Sequence, residues 1–112
     1  MNAKLSILIP VYNEADLIAT VIRRLDDVDL HDLEVELVAV DDGSTDGSGE
    51  VLAELAEGRE NLRVIRHDKN RGKGAAIRTA IAAASGDFAM IQDSDLEYNP
   101  QELPALLKPL ME

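Results

Sequence analysis

The sequence predicts an α/β fold with a mainly parallel open sheet and helices on both faces. Four short apolar runs alternate with helical patterns, and nearly continuous apolar runs are typical of strands that are covered on both faces. The links between runs and helices are short, which favours right-handed crossovers between parallel strands. Because ligands of such sheets bind beyond the carboxyl ends of the strands, function is expected in the loops that follow the strands.

The predicted strands are the four apolar runs, which are Leu5 to Val11, Glu34 to Val40, Leu62 to Ile65 and Phe88 to Ile91. Apolar stripes at spacings of three and four residues predict helices between them. The stripe residues are Leu17, Ile18, Val21, Ile22 and Leu25, then Val51, Leu52 and Leu55, then Ala76, Ile77, Ala80, Ile81 and Ala84. A fourth helix is expected to begin at Asn99, and Gly58 and Gly86 are expected to end helices in a left-handed conformation.

Size and charge limit the possible functions. The chain has 112 residues, so residues 1–112 are expected to form part of a single domain. A formal net charge of −11, from 22 acidic and 11 basic residues, repels nucleic-acid phosphates, so DNA or RNA binding is not expected. The chain has no cysteine, which excludes disulfides and cysteine-based zinc sites. The first apolar run is too short to span a membrane and lacks a signal-peptide layout, which favours a cytoplasmic location.

The loop after the first strand, residues 10–14, reads PVYNE. Pro10 lacks a backbone donor and is expected to end the strand. The Tyr12 ring could stack on a base, and the Glu14 carboxylate could accept hydrogen bonds from ribose hydroxyls or a base edge. A plain strand exit, in which Asn13 caps the first helix, is the other interpretation of this segment.

Adjacent acids and glycines follow the second strand. Asp41 or Asp42 could accept a hydrogen bond from a base N–H. Two other interpretations fit this loop. Thr45 or Asp46 could cap the next helix. The loop also matches the opening of a calcium-binding EF-hand, although Ala53 stands where that loop needs a bidentate glutamate.

Glycines and cations follow the third strand, where Gly72 and Gly74 flank Lys73 at a predicted helix start. Backbone N–H groups, the helix dipole, and the side chains of Arg71 and Lys73 would all favour a phosphate. The spacing of a Walker A loop is absent. A basic loop that balances an otherwise acidic protein is the other interpretation.

Carboxylates at alternate positions follow the fourth strand, at Asp93, Asp95 and Glu97. In an extended segment the first two point the same way, and paired carboxylates suit Mg²⁺ or Mn²⁺, which bridge phosphate oxygens. A solvated acidic turn is the other interpretation. His31 and His67 show no ligand spacing and are expected on the surface.

Taken together, the four loops resemble family 2 glycosyltransferases of the GT-A fold. The matching segments read IPVYNE at 9–14, VDDGSTDG at 40–47, NRGKGAA at 70–76 and QDSDLEYNP at 92–100. The last of these is most similar to the branch that includes dolichol-phosphate mannosyltransferases and bacterial polyprenyl-phosphate glycosyltransferases. The resemblance implies that the chain is the Rossmann-like nucleotide-binding half of a GT-A fold.

The resemblance also implies residue roles. The residues expected to bind the nucleotide sugar are Pro10, Tyr12, Asn13, Glu14, Asp41, Asp42, Ser44, Arg71, Gly72, Lys73 and Asp93. The residues expected to hold Mg²⁺ or Mn²⁺ are Asp93, Asp95 and Glu97, and Asp95 is also expected to be catalytic.

The implied activity is inverting, metal-dependent transfer of a sugar from a UDP- or GDP-sugar to an acceptor, with polyprenyl or dolichyl phosphate as the expected acceptor. Family members are about twice as long or longer, so this chain is expected to bind nucleotide without full activity. The full-length protein is expected to be cytoplasmic, at the membrane face, and the truncated sheet is expected to self-associate. A receiver-like signalling domain and a non-catalytic nucleotide-binding module are the alternatives.

Overall fold

The structure is a computed structural model that describes residues 3–27 and 33–92. Within them, strands and helices alternate as β1 (Lys4–Val11), α1 (Ala15–Asp26), β2 (Glu34–Asp41), α2 (Ser48–Ala56), β3 (Leu62–Arg66), α3 (Lys73–Ala83) and β4 (Phe88–Ile91). The four predicted strands are confirmed, each end lying within one residue of its predicted position. The first three predicted helices are also confirmed, whereas the helix expected from Asn99 lies outside the described residues.

The four strands are parallel and lie in the order β3-β2-β1-β4. The chain therefore builds outward from β1 through β2 to β3 and then returns to the other side of β1. In an open α/β sheet this reversal of strand order marks the crevice where ligands bind, between the carboxyl ends of the two strands concerned. The crevice of this sheet accordingly lies between the ends of β1 and β4.

Helices cover both faces of the sheet, as predicted. Residues of α1 and α2 pack on one face, where the most deeply buried side chains include Ile7, Ile9, Ile18 and Ile22. On the other face, the small side chains of α3 pack against the opposite side of β1 and β2. Each fully buried Leu or Ile contributes about 1.5–3 kcal/mol of transfer free energy, so this core fixes the strand ends firmly in place.

One of the two predicted left-handed helix ends differs from the structure. Gly58 has the expected left-handed φ of 72°, but Gly86 is not among the residues with positive φ. It instead lies against β1, where an added Cβ would be 2.6 Å from the Ser6 hydroxyl oxygen. Gly86 is therefore required for close approach between two chain segments rather than for a left-handed turn. None of the described helices is both long enough and apolar enough to cross a bilayer.

Candidate functional site

Because the strands are parallel, the loops that follow them meet at one edge of the sheet. The ladder continues slightly past β2, since Asp42 N–H donates to the Val11 carbonyl (2.8 Å) and His67 N–H donates to the Asp41 carbonyl (2.9 Å). The ends of β1, β2 and β3 are therefore level with one another. We refer to the segments that follow β1, β2 and β3 as loop 1 (residues 12–14), loop 2 (residues 42–47) and loop 3 (residues 67–72).

Pro10 limits the pairing between β1 and β4. Among the described residues, the last bond of this ladder runs from Gln92 N–H to the Leu8 carbonyl (2.9 Å), and Gln92 is buried. Pro10 lies two residues further along β1 and faces the same neighbouring strand as Leu8, but it has no N–H that could donate to that strand. The prediction that Pro10 ends the strand is wrong by one residue, because pairing with β2 continues to Val11 and Asp41. On the β4 side, the proline instead removes the donor of the next ladder bond.

Loops 1 and 2 are joined through Asn13. Its N–H donates to the Ser44 hydroxyl oxygen (2.9 Å), and its side-chain oxygen accepts from Thr45 N–H (2.8 Å). Asn13 has a φ of 52°, which lies in the left-handed region that asparagine tolerates better than most residues. The predicted helix cap is wrong, because Glu14 occupies the cap position and makes no side-chain cap bond. Asn13 connects two loops instead of starting a helix.

Loop 2 and the start of α2 also satisfy the first N–H groups of α1. Glu14 N–H donates to the Ser48 hydroxyl oxygen (2.9 Å), and Ala15 N–H donates to the Asp46 carboxylate (3.1 Å). These groups have no partner within the helix. The Asp46 carboxylate also accepts from the N–H of Ser48 (3.0 Å), but the prediction that Thr45 or Asp46 caps α2 is wrong, because Gly47 occupies the cap position. The hydrogen bond from the Ser48 hydroxyl is the main cause of a lowered pKa for Asp46.

Asp41 is completely buried and points into the fold. Its Oδ1 accepts from Ser44 N–H at 3.0 Å. Its Oδ2 makes no hydrogen bond, but the Nε of Arg66 lies 3.3 Å away and provides an opposite charge. A Cβ at Gly49 would lie only 2.6 Å from this oxygen. In this position Asp41 stabilises the start of loop 2, and its contact with a base stays a prediction.

Asp42 is nearly buried and joins loop 2 to loop 3. It accepts hydrogen bonds from His67 Nδ1 (2.8 Å), Arg71 N–H (2.9 Å) and Gly72 N–H (2.9 Å). Burial raises the pKa of Asp42, but these hydrogen bonds and the nearby imidazole outweigh burial and lower it. The expectation that His67 lies on the surface is wrong, because only 8% of it is exposed. Its place at the end of a strand, among residues considered functional, was the signal that could have identified it.

A cavity of about 430 Å³ lies between loops 2 and 3. The residues that line it are Gly43, Ser44, Thr45, Arg66, His67 and Asp68. Tyr12 is 44% exposed at the same edge of the sheet, so its ring is accessible for stacking. The exposed Arg71 guanidinium pairs with Asp68 at 3.2 Å, and Lys73 opens α3 beside it. The edge therefore combines an accessible ring, a cavity and cations.

The predicted metal ligands Asp93, Asp95 and Glu97 lie outside the described residues. Within residues 3–27 and 33–92, no group of three His, Asp or Glu side chains could hold a metal ion. The EF-hand interpretation of loop 2 is not supported, because Asp42 and Asp46 bind separate partners and a strand precedes the loop.

Comparison with known proteins agrees with this arrangement. The chain is 35% identical to a dolichol-phosphate mannosyltransferase of Pyrococcus furiosus, over 94% of the chain and 29% of that protein. It is 37% identical to an undecaprenyl-phosphate 4-deoxy-4-formamido-L-arabinose transferase of Photorhabdus laumondii, over 94% of the chain and 33% of that protein. The chain thus spans about a third of the length of these relatives.

Among solved structures, the fold matches a mannosyltransferase from Pyrobaculum calidifontis in complex with GDP-Man and Mn²⁺. The TM-score is 0.85 at 29% identity, and the match covers 100% of this chain and 33% of that one. The α/β sheet therefore has the arrangement of GT-A glycosyltransferases. The family model described as glycosyl transferase family 2 matches residues 6–112. We conclude that the chain belongs to glycosyl transferase family 2.

Proposed function

We propose that this chain is the nucleotide-sugar-binding part of an inverting, metal-dependent glycosyltransferase. The whole protein would transfer a sugar from a UDP- or GDP-sugar to a polyprenyl or dolichyl phosphate. The observation that carries this proposal is the joining of loops 1, 2 and 3 at the carboxyl edge of the sheet, through Asn13 and Asp42. This edge includes the crevice beside β1 where an open α/β sheet binds its ligand.

Each loop would contribute a different contact to the nucleotide sugar. The accessible Tyr12 ring would stack on the base, and the Glu14 carboxylate would accept from ribose hydroxyls. Arg71 and Lys73 would favour the diphosphate, together with the N-terminus of α3. Pro10, Asn13, Ser44 and Gly72 would contribute mainly by shaping the loops. Asp42, together with Asp41, would contact the base.

Asp93, Asp95 and Glu97 would hold Mg²⁺ or Mn²⁺, because carboxylate oxygens are the ligands that these hard cations prefer. When bound, the metal would neutralise charge on the departing diphosphate. Support comes from the matched Pyrobaculum calidifontis mannosyltransferase, which was solved with GDP-Man and Mn²⁺.

A lipid phosphate is proposed as the acceptor because the matched relatives are named for dolichol-phosphate and undecaprenyl-phosphate. About two thirds of those relatives lies beyond the match, so acceptor binding is assigned to the whole protein. A cytoplasmic location at the membrane face is proposed with the same acceptor. A receiver-like signalling domain is not supported, because the acid pair follows β2 and the chain belongs to a glycosyltransferase family.

Self-association through the sheet edge is also proposed. On β4, at the edge of the described sheet, Phe88 and Ile91 are 38% and 48% exposed. Apolar side chains beside an open strand edge favour pairing with a second chain. Sedimentation at increasing concentration should show a dimer in the wild type and less dimer in Ile91→Lys. A concentration-independent monomer would contradict this proposal.

The test of the proposed function is calorimetric titration with UDP and with GDP, each with and without Mn²⁺. We expect one of the two nucleotides to bind in the presence of Mn²⁺, and Asp93→Ala/Asp95→Ala to bind it at least about tenfold more weakly. The matched control is Glu57→Ala/Glu60→Ala, which removes the same charge from an exposed segment after α2. It should bind like the wild type. Equal binding by the wild type and the Asp93/Asp95 variant would refute the metal role.

A further inference from the structure

A buried line of hydrogen bonds runs from loop 2 to the middle of α3, through Asp42, His67 and Thr79. We propose that His67 is a positioning residue, which holds Asp42 so that Asp42 fixes the Arg71–Gly72 turn before any ligand arrives. This inference rests on the proposed function only in placing that turn at the nucleotide site.

The ring of His67 is held at both nitrogen atoms. Nδ1 lies 2.8 Å from Asp42 Oδ1, and Nε2 lies 2.8 Å from the Thr79 hydroxyl oxygen. An ionised carboxylate only accepts hydrogen bonds, so Nδ1 carries a proton and donates it. The Thr79 hydroxyl can donate to a neutral ring or accept from a charged one, so it holds the ring in either state. The orientation of the ring is therefore set from both sides.

Both oxygens of Asp42 are used to hold loop 3. Oδ1 accepts from Arg71 N–H as well as from His67, and Oδ2 accepts from Gly72 N–H, each backbone bond being 2.9 Å long. Gly72 has a φ of 99°, which an L side chain rarely adopts. A buried carboxylate with two backbone donors thus holds the turn that precedes α3. Because Arg71 lies in this turn and Lys73 follows it directly, the directions of both side chains depend on the conformation of the turn.

A second observation shows independently that loops 2 and 3 form one unit. A Cβ at Gly43 would lie 2.4 Å from both the Asn70 nitrogen and the Lys69 carbonyl carbon. The two backbones are therefore in direct contact beside Asp42. Such contact leaves the turn little freedom as long as Asp42 keeps its orientation, and the side chain of His67 donates a hydrogen bond to Asp42.

The proposal predicts different results for two similar amides at position 67. The Asn side chain places its N–H donor near the position of Nδ1, whereas the Gln side chain reaches the position of Nε2. His67→Asn should therefore keep the bond to Asp42, and His67→Gln should lose it while keeping the contact with Thr79. Thr79→Val, which removes only the far partner, should have an intermediate effect.

The experiment is amide hydrogen exchange of the nucleotide-free protein, followed residue by residue by NMR. Gly72 N–H is shared between Asp42 and the Asn70 side-chain oxygen (2.9 Å each), so the Arg71 amide is the reporter. We expect this amide to be protected in the wild type and in His67→Asn, and to exchange on the order of tenfold faster in His67→Gln. Protection of the Ile7 amide in β1 reports that each variant is folded. Equal protection of the Arg71 amide in His67→Gln and the wild type would overturn the proposal, as would rapid exchange of this amide in His67→Asn with the core still protected.

A titration with Mn²⁺ and either UDP or GDP adds a second measurement. His67→Gln should bind several-fold more weakly than the wild type, and His67→Asn should restore binding. If the wild type binds neither nucleotide, the proposed function fails, while the exchange data still decide the positioning role. If binding is normal but exchange does not depend on position 67, the positioning role fails and the proposed function stands.

Discussion

Glu36 should anchor the start of β4 to the opposite, amino edge of the sheet. It is 7% exposed, and its Oε2 accepts from the Ser6 hydroxyl (2.5 Å), Ser85 N–H (2.6 Å) and the Ser85 hydroxyl (3.1 Å). The Lys4 ammonium lies 3.8 Å from the other oxygen. The Ser6 hydroxyl oxygen in turn accepts from Gly86 N–H at 2.9 Å. We predict that Glu36→Gln destabilises the protein and that Glu36→Ala does so more strongly.

The magnitude follows from these bonds. A hydrogen bond to a charged group contributes about 1.5–3 kcal/mol, whereas a neutral one contributes about 0.5–1.5 kcal/mol. Gln keeps an acceptor oxygen in the same place, so Glu36→Gln should lower the free energy of unfolding by about 1–2 kcal/mol at pH 7. Ala leaves buried donors without an acceptor, so Glu36→Ala should lower it by about 3 kcal/mol. Glu34→Gln, on the exposed start of the same strand, is the matched control and should change it by less than about 0.5 kcal/mol.

The effect should also depend on pH. Burial raises the pKa of Glu36, but the hydrogen bonds from Ser6 and Ser85 and the charge of Lys4 outweigh it, so the pKa lies below its ordinary 4.5. Because the pKa is lower in the folded state, the stabilisation is complete above about pH 4.5 and is lost as the pH falls through the lowered value. Urea unfolding measured from pH 7 to pH 3 should show that the difference in the free energy of unfolding between the wild type and Glu36→Gln becomes smaller as the pH falls. A gap that does not change with pH would refute this reasoning.

Two further predictions concern loop 2. Gly43→Ala should lower the free energy of unfolding by about 3 kcal/mol or more, because position 43 combines a left-handed φ with a clash between the added Cβ and loop 3. The control is Gly58→Ala, which has a similar φ of 72° but nothing within 4 Å of the added Cβ. It should lower the free energy of unfolding by only about 1 kcal/mol. Equal effects in urea unfolding would show that the loops are not in contact. Arg66→Met should lower the free energy of unfolding by about 1–3 kcal/mol, because the buried Asp41 carboxylate loses its charged partner. Adding Asp41→Asn to this variant should recover part of the lost stability. A stability of Arg66→Met within about 0.5 kcal/mol of the wild type would contradict this role.

The positions of β1 and β2 could be predicted closely from the sequence because these two central strands are mostly buried. The run from Phe88 to Ile91 coincides with β4, and the end of the run at Val40 differs from the end of β2 by one residue. In β1 and β2 a continuous apolar pattern is the direct consequence of burial, whereas the apolar run of β4 remains largely exposed among the described residues. The common edge of the loops follows from parallel pairing, which the alternation of strands and helices predicts.

The connections between loops could not be predicted from local patterns. Asn13 was expected to cap a helix and His67 to be exposed, yet each binds a residue about 25 to 32 positions away. Which loops touch depends on the strand order β3-β2-β1-β4, which places loop 2 between loops 1 and 3. A prediction from local sequence uses only neighbouring residues, so it assigns these polar residues to helix caps and to the protein surface.

The most direct test of the central claim is where a nucleotide with Mn²⁺ binds on the sheet. Mn²⁺ broadens the NMR signals of nearby amides, and the eight residues of β1 separate the two edges by roughly 25 Å. With the nucleotide that binds, we predict broadening of the amides at residues 12–14 and 71–73, while those of Lys4, Glu34 and Gly86 stay sharp. Broadening centred on Lys4, Glu34 and Gly86, with loops 1 and 3 unaffected, would contradict the account.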